Sequence, residues 1–301
     1  MPIFDTSLPT ASGGWMVFDV TYTNPAQIPP VLANAITYNF TDPTTMAVVE
    51  KTELTDPVPV GCVPLAVIHP PLVGHGWYAE DGCCTYAVYH RTVVNFEGGE
   101  PWTSEQFAID FFKLGPNNSS VKPNVTLPTT GKDPASYWDY GMPVLAVAPG
   151  VVTEAVDIYD NTPVGKPAGF IKTEGAAPGN HVILDIGGGR YVAYAHLKPG
   201  SVVVKVGQHV QVGQLIGNVG NSGSTVAPHM HFQVMDGPSF FASHSLPFVF
   251  DTQVFEGHVS EADIDNVDQG MVVAIDRTGA PAVKRNLMPA RNDVFGFNLS
   301  R

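Results

Sequence analysis

Residues 179–234 read GNHVILDIGGGRYVAYAHLKPGSVVVKVGQHVQVGQLIGNVGNSGSTVAPHMHFQV. Apolar residues come in short runs (HVILDI, RYVAYAHL, SVVVKVGQHVQVGQLIGNVG, HMHFQV) broken by Gly, Pro and Asn. Short runs rich in Val and Ile between such breaks are the pattern of strands joined by tight turns. Gly187-Gly188-Gly189 separates two runs and reads as a hairpin turn rather than a phosphate loop, because no helical pattern follows it. PVLAVAPGVV at 143–152 extends the same pattern upstream. From Gly141 to Val234 the expectation is therefore a compact all-β core.

Outward from that core the punctuation stays strand-like. WMVFDVTYT, AITYNF, MAVVEKTEL and CVPLAVI, spread over residues 15–70, predict an N-terminal β-sandwich-like domain over 1–72. Residues 73–301 then form the second domain. Within it, residues 113–139 (KLGPNNSSVKPNVTLPTTGKDPASYWD) are polar and predict a surface insertion. From about residue 252 a C-terminal extension carries VVAID and VFGFNL as strands, with EADIDNVDQ a short helix.

Composition narrows the class. Of 301 residues, 15 are Lys or Arg and 28 are Asp or Glu, for a net charge of −13. Such a surface repels polyphosphate, so nucleic acid is not an expected partner. No apolar run approaches the ~18 residues needed to cross a bilayer, so no membrane span is expected. The opening MPIFDTSLPTASGG lacks the basic and apolar regions of a secretion signal. Three cysteines, Cys62, Cys83 and Cys84, form no C-x-x-C pair. They allow one disulfide from Cys62 to either neighbour, with one thiol left.

The chemistry lies in the histidines and one acid. In APHMHFQV, His229 and His231 are two apart on a strand, so both imidazoles project from one face and Met230 from the other. RYVAYAHL sets His196 near the end of another strand, with Tyr194 on its face. EQFAIDFF puts Asp110 inside a strongly apolar strand, and acids are almost never buried without a cation or a metal. Two imidazoles and a carboxylate with a fourth position open form the donor set of catalytic rather than structural zinc.

The combination of Y-A-H-L, V-G-Q-x-V-x-x-G-Q-x-I-G-x-V-G and P-H-x-H-F resembles the lysostaphin/LytM-type zinc metallopeptidases, closely from Phe107 to about Asp251 and loosely back to Gly74. The resemblance implies a β-sandwich or barrel-like catalytic core, one Zn²⁺ per chain and cleavage of peptide bonds in bacterial peptidoglycan, outside the cytoplasm. It implies metal ligation by His231 and Asp110, with His229 and His196 as catalytic residues flanking the reacting water. Common members carry the first ligand four residues before the Asp, a position where this chain has no His. The resemblance to a subgroup with a loop between an H-R pair and the F-A-I-D strand assigns His90, with His75 as the fallback. A different class of function is a non-catalytic wall-binding or regulatory module on the same fold. A phosphocarrier using paired histidines would leave Asp110 without a role.

Overall fold

The computed structural model describes residues 29–33, 35–42, 44–54, 57–59, 65–82, 88–123, 125, 133–165 and 176–297. The chain divides into two compact units, Met1–Pro64 and Leu65–Arg301. In the first, AITYNF and MAVVEKTEL fall on a hairpin whose strands, Ala35–Thr41 and Val48–Leu54, pair from Ala35↔Leu54 to Thr41↔Val48. Asp42 caps its turn by accepting the Thr44 and Thr45 amides at 2.7 and 3.1 Å. Val31–Leu32 pairs with Val58–Pro59. The WMVFDVTYT stretch of the expected sandwich and all three cysteines lie outside the described residues.

The second unit is built on one antiparallel sheet of eleven strands. They are β1 (Gly74–Glu80), β2 (Ile109–Lys113), β3 (Gly150–Val156), β4 (Asn180–Gly187), β5 (Arg190–Leu197), β6 (His209–Val210), β7 (Met230–Met235), β8 (Gln253–Val259), β9 (Ile275–Asp276), β10 (Ala282–Lys284) and β11 (Asp293–Phe297). Their order is β6-β3-β4-β5-β7-β2-β1-β11-β8-β9, with β10 also paired to β8. The glycine triplet is the β4–β5 turn, where Gly187, Gly188 and Gly189 all have positive φ (64–82°).

Period-2 alternation sorts side chains between the two faces. Val192 and Tyr194 of β5 and Met230, Phe232 and Val234 of β7 join the main core with Trp77, Phe111, Phe248, Phe250, Phe295 and Phe297. Burying each such ring is worth roughly 2–3 kcal/mol. The Tyr194 hydroxyl is not wasted there, since it accepts the Val147 amide at 3.0 Å. Val144 and Ile216, from the paired strands Pro143–Leu145 and Leu215–Asn218, belong to the same core.

One expectation about the second unit changes. Residues 113–139 are not a surface loop throughout. Ser119, Ser120, Val121, Tyr137 and Asp139 are buried, and the first two serines donate to the Gly270 and Val267 carbonyls at 2.7 and 2.6 Å. Hydroxyls satisfied by backbone carbonyls can be buried, which polar composition alone does not reveal. Of the residues after 252, β8 and β11 extend the main sheet beyond β1. EADIDNVDQ contains the α-helix α1 (Ile264–Asp268).

Candidate metal centre

The centre stands on the opposite face of the sheet from the main core. His231 on β7 and Asp110 on β2 are direct cross-strand partners, and His231 Nδ1 lies 3.0 Å from Asp110 Oδ1. On the other side of β7 the cross-strand neighbour is Ala195, whose small side chain leaves room. His90, in a 3₁₀ turn over His90–Thr92, brings Nε2 to 3.5 Å from Asp110 Oδ2 and its ring to 4.9 Å from that of His231. One donor atom from each of His90, Asp110 and His231 lies within 4.8 Å of the others. His229, just before β7, sets Nε2 3.4 Å from Asp110 Oδ2 and stacks on Phe112 at 5.0 Å. The His196 ring lies 4.7 Å from that of His229 and 5.9 Å from that of His231.

His75, the alternative first ligand, is elsewhere. It is exposed on β1 and bonded to Glu256. Most of the remaining histidines also have partners: His69 with Asp251, His181 with Glu154, His258 with Asp293 and His244 against Trp102.

Hydrogen bonds fix the tautomers. Gln233 donates its amide to Met235 Sδ, so its Oε1, 2.7 Å from His231 Nε2, accepts from that nitrogen. Nδ1 of His231 is thus the nitrogen that faces Asp110. His90 spends Nδ1–H on the Ala108 carbonyl (3.4 Å), His196 on Ser222 (2.8 Å) and His229 on Ala227 (2.8 Å), so each keeps Nε2 as a base.

His229 Nε2 is buried with no hydrogen bond, and Asp110 Oδ1 is met only by the 3.0 Å approach of His231 Nδ1. Lone pairs this close repel unless a proton or a cation lies among them. The set therefore fits a zinc ion, which takes imidazole nitrogens and carboxylate oxygens.

The electrostatics are those of a metal-free site. Burial would raise the Asp110 carboxyl, but the imidazoles of His229, His90 and His231 hold it well below the usual range. Burial would lower His231, but the Asp110 charge outweighs it and pushes the imidazole up to about 9. Burial carries His196 well below the ordinary imidazole range, with His229 and His231 adding to it. Burial also lowers His229, against the pull of Asp110. Both are neutral at pH 7.

Three neighbours of the centre were not among the expected site residues. Gln233 bonds His231, Asp81 sets a carboxylate oxygen 3.9 Å from His90 Nδ1, and Phe240 packs 5.5 Å from the His231 ring. Period 2 alone could have found Gln233, the next residue on the His229 and His231 face.

The match to known families falls on this part of the chain. Residues 136–241 match the model of Peptidase family M23, so the resemblance is to a LytM-type peptidase, over a stretch that holds His196, His229 and His231. Lysostaphin of Staphylococcus simulans is 33% identical over 99 residues, which is 33% of this chain and 17% of that protein. The glycyl-glycine endopeptidase ALE-1 of Staphylococcus capitis is 32% identical over 99 residues, 33% of this chain and 23% of its own. The chain thus spans less than a quarter of the length of these relatives. Among solved structures, the catalytic domain of lysostaphin from Staphylococcus simulans covers 59% of this chain and 88% of its own, with 22% identity and a TM-score of 0.30.

Proposed function

We propose that the chain is a zinc-dependent endopeptidase that hydrolyses peptide bonds of bacterial cell-wall peptidoglycan, acting outside the cytoplasm. The observation that carries the reading is the convergence of His90, Asp110 and His231 within 4.8 Å, beside two imidazoles kept neutral by burial. The family match and the likeness to a glycyl-glycine endopeptidase support the peptidase reading, and a likeness to a peptidoglycan DD-endopeptidase of Vibrio cholerae supports the substrate class.

His90 through Nε2, the Asp110 carboxylate and His231 through Nδ1 are the residues that would hold the ion. Bound there, zinc supplies a Lewis acid that polarises a carbonyl and acidifies water. The rest falls to His196 and His229. Each has Nδ1–H tied to a backbone carbonyl, which aims the ring and leaves Nε2 as the base. One Nε2 takes the proton of the attacking water as its oxygen bonds to the carbonyl carbon, and that proton then passes to the amine nitrogen as the C–N bond breaks. The other imidazole orients the carbonyl oxygen.

Release of amino groups from purified cell walls, and from short glycine- and D-alanine-containing peptides, tests this. Zinc-loaded protein should release them and chelator should stop it. His196→Ala and His229→Ala should each keep zinc while turnover falls about 10²–10⁴-fold. Zinc-loaded wild type that binds walls yet releases nothing would overturn the reading in favour of a binding module.

A further inference from the structure

The metal-bearing face of the sheet continues past the centre into a cleft of about 340 Å³. It is lined by Glu154 on β3, His181 on β4, Pro178, and the Pro238, Phe240 and Phe241 segment after β7. Cross-strand partners share a face, and one row of partners runs Glu154↔Ile183↔Ala193↔Gln233 across β3, β4, β5 and β7. Gln233 is the next residue on the His231 face, so Glu154 and the metal ligands stand on one surface. Between them Ile183, Ala193, Ala195 and Phe240 pack as one buried cluster, and the Phe240 ring, which also lines the cleft, packs on His231.

Three features set what the cleft takes. Its walls are apolar and aromatic, with Phe240 and Phe241 edge to face at 5.2 Å, which suits an aliphatic stem. Its volume is at the small end for ligand pockets and admits one side chain rather than a length of peptide. Its one acidic group, the Glu154 carboxylate, keeps 45% of its side chain exposed at the rim while His181 steadies one oxygen, Nε2 to Oε1 at 3.5 Å. His181 is in turn fixed by the Gly179 carbonyl at 2.7 Å from Nδ1. A carboxylate beside aromatic faces recognises an ammonium by ion pairing and cation–π attraction together, and the net charge of −13 favours cations over anions.

We propose that this cleft is a substrate subsite for a basic residue, a diamino acid with its amine on an aliphatic stem, bound by Glu154 and the Phe240–Phe241 wall. The inference rests on the peptidase reading. Three strand intervals of ~4.8 Å separate Glu154 from Gln233, and His231 lies two residues of ~3.4 Å further along β7, so Glu154 and His231 stand about 16 Å apart. Extended peptide covers ~3.5 Å per residue, so the basic residue sits about four or five residues from the bond that is cut.

The test reads binding apart from turnover. Zinc-loaded full-length His229→Ala protein, which does not consume its ligand, is titrated calorimetrically with glycine hexapeptides carrying a single lysine scanned through the six positions, and with their norleucine twins. At one position lysine should bind about tenfold tighter than norleucine, and Glu154→Gln in the same background should abolish that preference while zinc content stays the same. Equal binding of the twins at every position, binding of neither, or a preference that survives Glu154→Gln would overturn the subsite. Failure of wild type to cut any wall would instead overturn the peptidase reading, since the binding preference does not depend on it.

Discussion

Strict alternation along RYVAYAHL would send His196 into the core with Val192 and Tyr194. Instead it has φ of +59°, and the β4–β5 register shifts between Asn180 and Val182, so the side chain turns to the face of His229 and His231. A left-handed β-carbon residue costs roughly 1–2 kcal/mol, offset in part by the Nδ1–H bond to Ser222. His231 needs no such torsion; what it needs is its tautomer. Gln233, fully buried, supplies that by accepting Nε2–H. Gln233→Leu should therefore lower zinc affinity about 10–100-fold, read by competition with a chromogenic chelator, with little change in Tm. Unchanged affinity would show that Gln233 does not orient the ligand.

At the scale of elements, the Gly179 segment holds the strand that carries His196. Gly179 has φ of +61°, and a β-carbon there would lie 2.4 Å from the Ser222 carbonyl carbon. Ser222 is the residue whose carbonyl accepts from His196 and whose hydroxyl accepts the Asn180 amide and donates to the Leu197 carbonyl. Gly179→Ala should lower stability by about 1–3 kcal/mol and reduce turnover as well, because the shifted Ser222 carbonyl no longer aims His196. A variant with wild-type Tm and turnover would refute this account of the segment. The elements also show what could be read in advance. His229-x-His231 and the acid in the FAIDFF strand were legible because alternation and the cost of a buried charge act locally. His90 was not legible from spacing, since twenty residues separate it from Asp110 and only the fold returns it to the centre. The face of His196 was misread because a torsion, not a pattern, decides it. Gln233 and Phe240 carried no chemistry until their neighbours were placed.

For the whole molecule, the all-β class followed from short runs and glycine turns, whereas the burial of Ser119, Ser120, Val121, Tyr137 and Asp139 depended on long-range partners such as the Val267 and Gly270 carbonyls. Asp139 shows the consequence for stability. Burial pushes its carboxyl well above the usual range, although the Lys113 amide donates to it. Between the ordinary carboxylate value near 3.8 and that raised value, the folded protein binds more protons than the unfolded chain, so this residue's contribution to stability falls as pH rises. Asp139→Asn keeps an acceptor for the Lys113 amide and cannot ionise. Its Tm should fall less steeply than that of wild type as pH rises above about 4; parallel curves would contradict the assignment.

The central claim is that residues from two strands and a 3₁₀ turn form one zinc centre, and elemental analysis of the purified protein tests it most directly. The account predicts about one zinc per chain in wild type and none retained by Asp110→Ala, with its circular dichroism unchanged. Full zinc occupancy in Asp110→Ala would contradict it.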